Sequence, residues 1–304
     1  MCLFVQSDDL VHGALHLRDI FLLENQLPWL VIEALSDFLT PPPVYKFVHK
    51  IAKYLYIIPP SSLYSNTRAR VDELRKYRPP HLLGLLRYSQ IGNMTGEDHN
   101  HIHPLSLASS SAIELAEIGI KLTASKKKGL ANMSIQRDYC LFGGQLSLTP
   151  LFINDFTACW LVNMAAYEAC VSTRYPSDGF VVSSYISHLA MLMDREVNVH
   201  QLRAKHLVRS LLGNHELLVF FKGLACHLRL GRCYFIITGK IDRFKRRRPV
   251  SIAVHRFVYK NFQDNRCCAL YYWCACRNLQ NLDESQEASA LAVRVKRMCC
   301  LIIL

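Results

Sequence analysis

Three polar residues, Glu24-Asn25-Gln26, stand just before Pro28 in the middle of an apolar pattern of helical spacing. Ile20, Leu23, Leu27, Leu30, Val31, Ala34, Leu35 and Phe38 recur at that spacing on both sides. A run of this kind is expected in a core, so the polar trio must find partners there or face solvent. Pro28 lacks an amide hydrogen and suits the first turn of a helix, here one running to about Leu39. The pattern predicts two short helices meeting at a break, with Asn25 capping the second by accepting freed backbone N–H groups. A ligand-binding role for Glu24, Asn25 and Gln26 is the other reading. The structural one is preferred, because buried polar side chains are normally satisfied by nearby main chain.

The rest of the chain reads as mainly α: an irregular multi-helix domain with a small β-hairpin near 133–153. Pro41-Pro42-Pro43 stops the second helix, and Val44 to Ile58 is again apolar at helical spacing before Pro59-Pro60. Short helices are expected at 71–77 and 80–87. Residues 89–110 are polar and rich in serine and histidine, as an exposed loop would be. Ser111-Ala-Ile-Glu114 has the spacing of a capping box, and Gly119 lies where that helix should stop. Ser134–Leu141 and Gln145–Leu148 read as two strands across Gly143-Gly144. Further helices are expected from Asp155 or Thr157 to Cys170, at Val181–Met193, at Val199–Leu212 and at Glu216–Leu224.

Charge divides the chain unevenly. From Cys226 to Leu304 there are 15 Lys/Arg against 5 Asp/Glu, a net of +10; the first 225 residues hold the other 21 and 19, a net of +2. Eight of the twelve cysteines also lie at or after 226. These shifts suggest a helical domain over 1–225 and a basic, Cys-rich, divergent tail over 226–304 that could remain disordered. The N-terminus lacks the basic start of a secretory signal. The most apolar stretch, Leu217–Thr238, is interrupted by Lys222, Arg229 and Arg232. The chain as given is thus expected to carry no membrane span, to be cytoplasmic or peripheral, and to keep its cysteines reduced.

Several blocks occur in order: Asp19–Pro28, Pro80-His-Leu-Leu-Gly-Leu-Leu-Arg87 and Ser111-Ala-Ile-Glu-Leu-Ala-Glu-Ile-Gly-Ile-Lys121. Gly144–Thr157 follows, leading to Asn163, Ala166 and Glu168, then Ser184-Tyr185 and Leu211-Leu-Gly213. Together they resemble the plant family known as domain of unknown function 247, over roughly residues 15–225. The resemblance implies a plant protein, often membrane-associated, with no established catalytic chemistry. Some members are linked to pollen–stigma self-incompatibility in grasses, which suggests recognition rather than turnover. Members usually have a further N-terminal block and a C-terminal membrane helix. Neither is found here, so an N- and C-terminally incomplete member is expected.

Catalytic signatures for nucleotide, metalloprotease and serine-hydrolase chemistry are all missing, so no enzyme activity and no cofactor are expected. His99, His101 and His103 alternate and could chelate a divalent ion, but a solvated loop with adventitious affinity is preferred, since nothing evident orients the rings. Arg243, Lys245, Arg246, Arg247 and Arg248 form the strongest electrostatic feature. They could engage nucleic acid or an anionic membrane surface, although no recognised nucleic-acid module surrounds them. The expected function is a non-catalytic interaction protein with an unspecified protein partner; the alternative is an anion binder acting through its basic tail.

Overall fold

The structure, a computed structural model, describes residues 14–36, 38, 44–56, 67–91, 110–125, 129–138, 143–171 and 180–261. Val181–Leu192, here called α8, is buried at every position, its polar residues Ser183, Ser184, Ser187 and His188 included. A helix buried all round must be walled in by other elements. Those elements are α7 (Asp155–Val171), α10 (Asn214–Ala225) and α11 (Arg232–Arg247).

Ahead of this hub come α1 (Ala14–Ile20), a 3-10 turn (Leu23–Asn25), α2 (Trp29–Ser36), α3 (Val44–Ala52), α4 (Thr67–Lys76) and α5 (Leu82–Ile91). Phe21 plugs the junction between α1 and α7. It is fully buried, edge-on to Trp160 at 5.4 Å and stacked on Phe47 of α3 at 6.4 Å. After α3 a second 3-10 turn, Lys53–Leu55, brings Tyr56 against Leu151. The single long helix expected from Val44 is thus shortened at Ala52, where Gln90 of α5 donates to the Ala52 carbonyl at 3.0 Å.

The mainly helical fold with small sheets agrees with the sequence reading. α6 (Ala112–Glu117) begins with the capping box: the Ser111 hydroxyl accepts the Glu114 N–H while Glu114 accepts that of Ser111. It stops at Gly119, whose φ of +84° suits glycine. The expected hairpin is β2 (Ser134–Asp138) with β3 (Gly143–Leu148), antiparallel, Ile135 opposite Leu146. β1 (Ile120–Ala124) adds to β3 in parallel, Leu122 beside Leu146, giving the order β1-β3-β2. A separate pair joins β4 (Leu151–Ile153) to β5 (Val208–Ser210), also parallel.

The helix expected over Val199–Leu212 is corrected by that second pair. α9 (Glu196–Ala204) ends where His206 takes φ +56°, and Val208 then pairs with Leu151. Long-range pairing overrides local helical spacing here.

Beyond 225 the chain continues as packed helix. Ile237, Thr238 and Ile241 of α11 are buried. α12 (Pro249–Asn261) lies beside α6, where Arg256 pairs with Glu117 at 3.9 Å. The change in composition at 226 therefore coincides with no break in packing among the described residues. Cys267, Cys268, Cys274, Cys276, Cys299 and Cys300 lie outside the described residues.

Candidate functional site

Two polar side chains of the sequence signature are consumed by backbone. Gln26 donates from Nε2 to the Ile20 and Leu22 carbonyls at 2.9 and 2.7 Å, while its Oε1 accepts the Leu83 N–H at 2.8 Å. Leu83 sits in the first turn of α5, where a backbone N–H has no intrahelical acceptor. Gln26 is thus a remote cap on α5, beside His81, whose Nδ1 accepts the Gly84 N–H at 3.1 Å. Burial lowers the His81 pKa, keeping that nitrogen available as an acceptor.

Asn25 does not act as the expected N-cap. Its Nδ2 donates to the Asp19 carbonyl at 3.1 Å and so closes the end of α1. The Pro28 carbonyl accepts the first bonds of α2, from Val31 at 3.0 Å and Ile32 at 3.3 Å. Asn163 of α7 accepts the Leu23 N–H at 2.8 Å, and the Trp29 N–H reaches the Pro80 carbonyl, also at 2.8 Å. Glu24 and Pro28 face solvent. Gln26, with the Leu23 and Trp29 backbone N–H groups, therefore brackets the α1–α2 junction onto α7 and the start of α5.

What the bracket holds in place is α2, and its exposure reverses one expectation. Trp29 and Ser36 are buried on one side. On the other, Leu30 is 77%, Val31 43% and Leu35 58% exposed, and Leu27 and Phe38, just before and after the helix, are 51% and 87% exposed. These residues were expected in the core. Helical spacing marks which apolar residues share a face, but α2 is apolar around most of its circumference, and only one side meets the body. An apolar face this continuous differs from the scattered single hydrophobics of an ordinary surface.

A second constellation lies deep in the molecule. The α8 N-terminus follows Phe180, which has φ +53° and a side chain unable to cap. Glu168 of α7 supplies the cap: it accepts the Val182 and Ser183 N–H groups and the Ser183 hydroxyl, all at 2.9 Å. Arg87 of α5 neutralises it, with Nε at 3.0 Å and a second guanidinium nitrogen at 2.9 Å. With both oxygens saturated, this buried carboxylate is poorly placed for proton transfer and well placed to hold α5, α7 and α8 together.

Further along α8, His188 stacks on Tyr234 at 4.6 Å, with neither ring nitrogen making a hydrogen bond of normal geometry. Burial pushes its pKa down to about 4, only slightly offset by the nearby Cys233 backbone. The Cys233 thiol is in turn pushed up, chiefly by burial and then by the Glu168 charge. A reactive thiolate needs the opposite shift, so the proximity of cysteine and histidine does not make a nucleophilic pair.

The basic cluster sits at the C-terminal end of α11, where cations complement the helix dipole. Lys245 donates to the Ser110 hydroxyl at 2.6 Å, Arg246 pairs with Asp242 at 2.9 Å, and Arg248 lies 5.3 Å from the Phe244 ring centre. Arg243 and Arg247 remain exposed. His99, His101 and His103 lie outside the described residues, among which no three metal-ligating side chains gather. No helix among the described residues is long and apolar enough to cross a membrane.

A UPF0481 protein of Arabidopsis thaliana, At3g47200, is 25% identical over 231 residues, covering 68% of this chain and 45% of its own length. The chain thus spans less than half of that relative. No solved structure matches it. The family described as DUF247, plant protein of unknown function, matches residues 5–270. That match extends past both ends of the 15–225 stretch marked by the sequence blocks, and it takes in α11 and α12. On this evidence of shared sequence over most of its length, the chain belongs to the DUF247 family of plant proteins.

Proposed function

We propose that this protein is a non-catalytic interaction protein whose working surface is the outward face of α2. The observation that carries this reading is a run of large apolar side chains, Leu30, Val31 and Leu35 on α2 with Leu27 and Phe38 flanking it, held open on a segment anchored from behind by Gln26, Trp29 and Asn163. Keeping such residues in water is unfavourable by about 1.5–3 kcal/mol for each that could be buried. A rigid mount for an uncovered apolar ridge suits protein recognition. Among the described residues, the buried Glu168 carboxylate is engaged in structural bonds and the Cys233 thiol is shifted away from reactivity.

The basic end of α11 supports anion binding less well, since three of its five cations already hold intramolecular partners. The test is quantitative pull-down from plant extract with the full chain and with Leu30→Asp/Leu35→Asp. The reading expects a set of proteins retained by the wild type and lost from the variant. An unchanged set would contradict it.

A further inference from the structure

The stretch Arg246-Arg247-Arg248-Pro249-Val250-Ser251 crosses from the end of α11 into the start of α12. Counting back from Ser251, arginine stands at the third, fourth and fifth positions. No other serine or threonine of the chain has arginine at both the third and the fifth. Protein kinases choose their substrates partly by charge pattern. Those with acidic side chains beside the catalytic cleft select a hydroxyl preceded by arginine at this spacing, through charge-assisted hydrogen bonds to the guanidinium groups.

The structure presents the stretch at a surface. Arg246, Arg247 and Pro249 are exposed, and Arg248 and Ser251 are partly so. α11 ends at Arg247, and Arg248 leaves helical geometry at φ −139° and ψ 51° before α12 begins at Pro249. A kinase binds the residues around its acceptor in extended form, so a helix break just ahead of the acceptor lowers the cost of local opening. Arg246 meets Asp242 in an exposed ion pair, a contact that solvent weakens and a competing acidic surface can displace.

From this we infer that Ser251 is a phosphorylation site for an arginine-directed protein kinase, and that the phosphate stabilises the start of α12. The inference does not depend on the reading of α2. In the step, the Ser251 hydroxyl oxygen attacks the γ-phosphorus of magnesium-bound ATP. The new P–O bond forms as the bond to the bridging oxygen breaks, ADP leaves, and the hydroxyl proton passes to the kinase's catalytic aspartate.

The folded chain has a place for the product. Ile252 donates to the Arg248 carbonyl at 3.0 Å, which makes Arg248 the residue that opens α12 and sets Ser251 in its first turn. A phosphoserine there carries about −1.5 to −2 charges, a sign the helix dipole favours at this end and the three preceding arginines complement. α12 in turn lies beside α6, where Arg256 meets Glu117. Charge added at its first turn therefore favours a helix that already belongs to the packed body.

The experiment incubates the natively folded full chain with Mg-ATP and a recombinant kinase that selects arginine at the third and fifth positions before its acceptor. Peptide mass spectrometry locates the phosphate. Ser251 is expected to be the main acceptor, and a kinase that selects acidic flanking residues is expected to leave it unmodified. Arg246→Ala/Arg248→Ala is expected to slow modification of Ser251 by at least about tenfold, since two charge-assisted contacts to the kinase are lost. Thermal melts show whether that variant folds; should it fail, Arg246→Lys/Arg248→Lys replaces it, with slowing again expected because lysine lacks the forked guanidinium geometry. The phosphorylated chain is expected to melt no lower than the unmodified one. Phosphate found only on other residues overturns the inference, as does a rate indifferent to the arginine pair or modification that appears only after thermal unfolding. A phosphorylated chain that melts clearly lower overturns the stabilising role at α12.

Discussion

Gln26 and Leu83 lie 57 residues apart in the chain, yet the Gln26 side-chain oxygen accepts the Leu83 N–H at 2.8 Å. That bond turns a local break before Pro28 into a tertiary constraint, because the amide nitrogen of the same side chain binds the Ile20 and Leu22 carbonyls. One amide group thus joins the end of α1 to the start of α5.

Gln26→Ala should cost about 2 kcal/mol of stability, combining a lost helix cap with two stranded carbonyls near the surface. Gln26→Glu should cost at least as much, since a carboxylate retains the bond from Leu83 but repels the two carbonyls it now faces. Urea unfolding of both variants measures this. Two variants as stable as wild type would show that the bracket is not structural.

Arg87→Met leaves the buried Glu168 carboxylate without its counter-ion and should cost about 3–5 kcal/mol. Glu168→Gln should also destabilise, because it turns one oxygen that accepts hydrogen bonds into a donor. The double variant should cost clearly less than the two single costs together, since neither partner is then left charged and alone. Strict additivity in denaturant melts would refute the coupling.

The sequence block around Gly119 gains a tertiary reason as well as a local one. A Cβ on Gly119 would stand 2.6 Å from the His255 ring and would adopt φ +84°. Gly119→Ala should therefore destabilise by about 1–3 kcal/mol. Adding His255→Ala should recover only the steric part, leaving the backbone cost. Full recovery in thermal melts would show that the φ angle carries no strain.

Stability should fall on acidification through His188. Burial holds its imidazole neutral down to about pH 4, while in the unfolded chain it protonates near the usual ~6.5. Between those values the unfolded chain binds the proton and the folded chain does not. The stabilisation is thus complete above ~6.5 and is lost as pH falls toward 4, a change on the order of 3 kcal/mol. Urea midpoints from pH 7.5 to 4.5 should fall more steeply for wild type than for His188→Phe, which keeps an aromatic ring against Tyr234; equal slopes would contradict this.

Much of the fold was legible where a local chemical cause sets local structure. Pro28 marked the break, the Ser111/Glu114 spacing marked a helix start, and the segment around Gly143 marked the hairpin. β1 and β5 were not legible. Each is a short parallel strand whose partner lies at least twenty residues away, and β5 hides within a helical pattern. Glu168 stood out only through resemblance. Its role depends on Phe180 failing to cap α8 and on Arg87 arriving from α5, neither visible in local spacing.

The candidate site shows the limit most clearly. The apolar period around Leu30 correctly marked a helix, but periodicity cannot say which side of a mostly apolar helix meets the body. Trp29 and Ser36 took that side, and the larger aliphatic set was left outside. A buried serine opposite an exposed leucine is a result of tertiary packing that no hydropathy pattern encodes.

The most direct test of the account is the labelling rate of a thiol at Leu30→Cys in the dilute full chain, resolved from the native cysteines by peptide mass spectrometry. An open α2 ridge requires that position to label about as fast as an exposed native cysteine such as Cys226. A thiol at position 30 that is protected at every concentration would mean that the ridge is covered within a single chain, and the interaction surface proposed here would not exist.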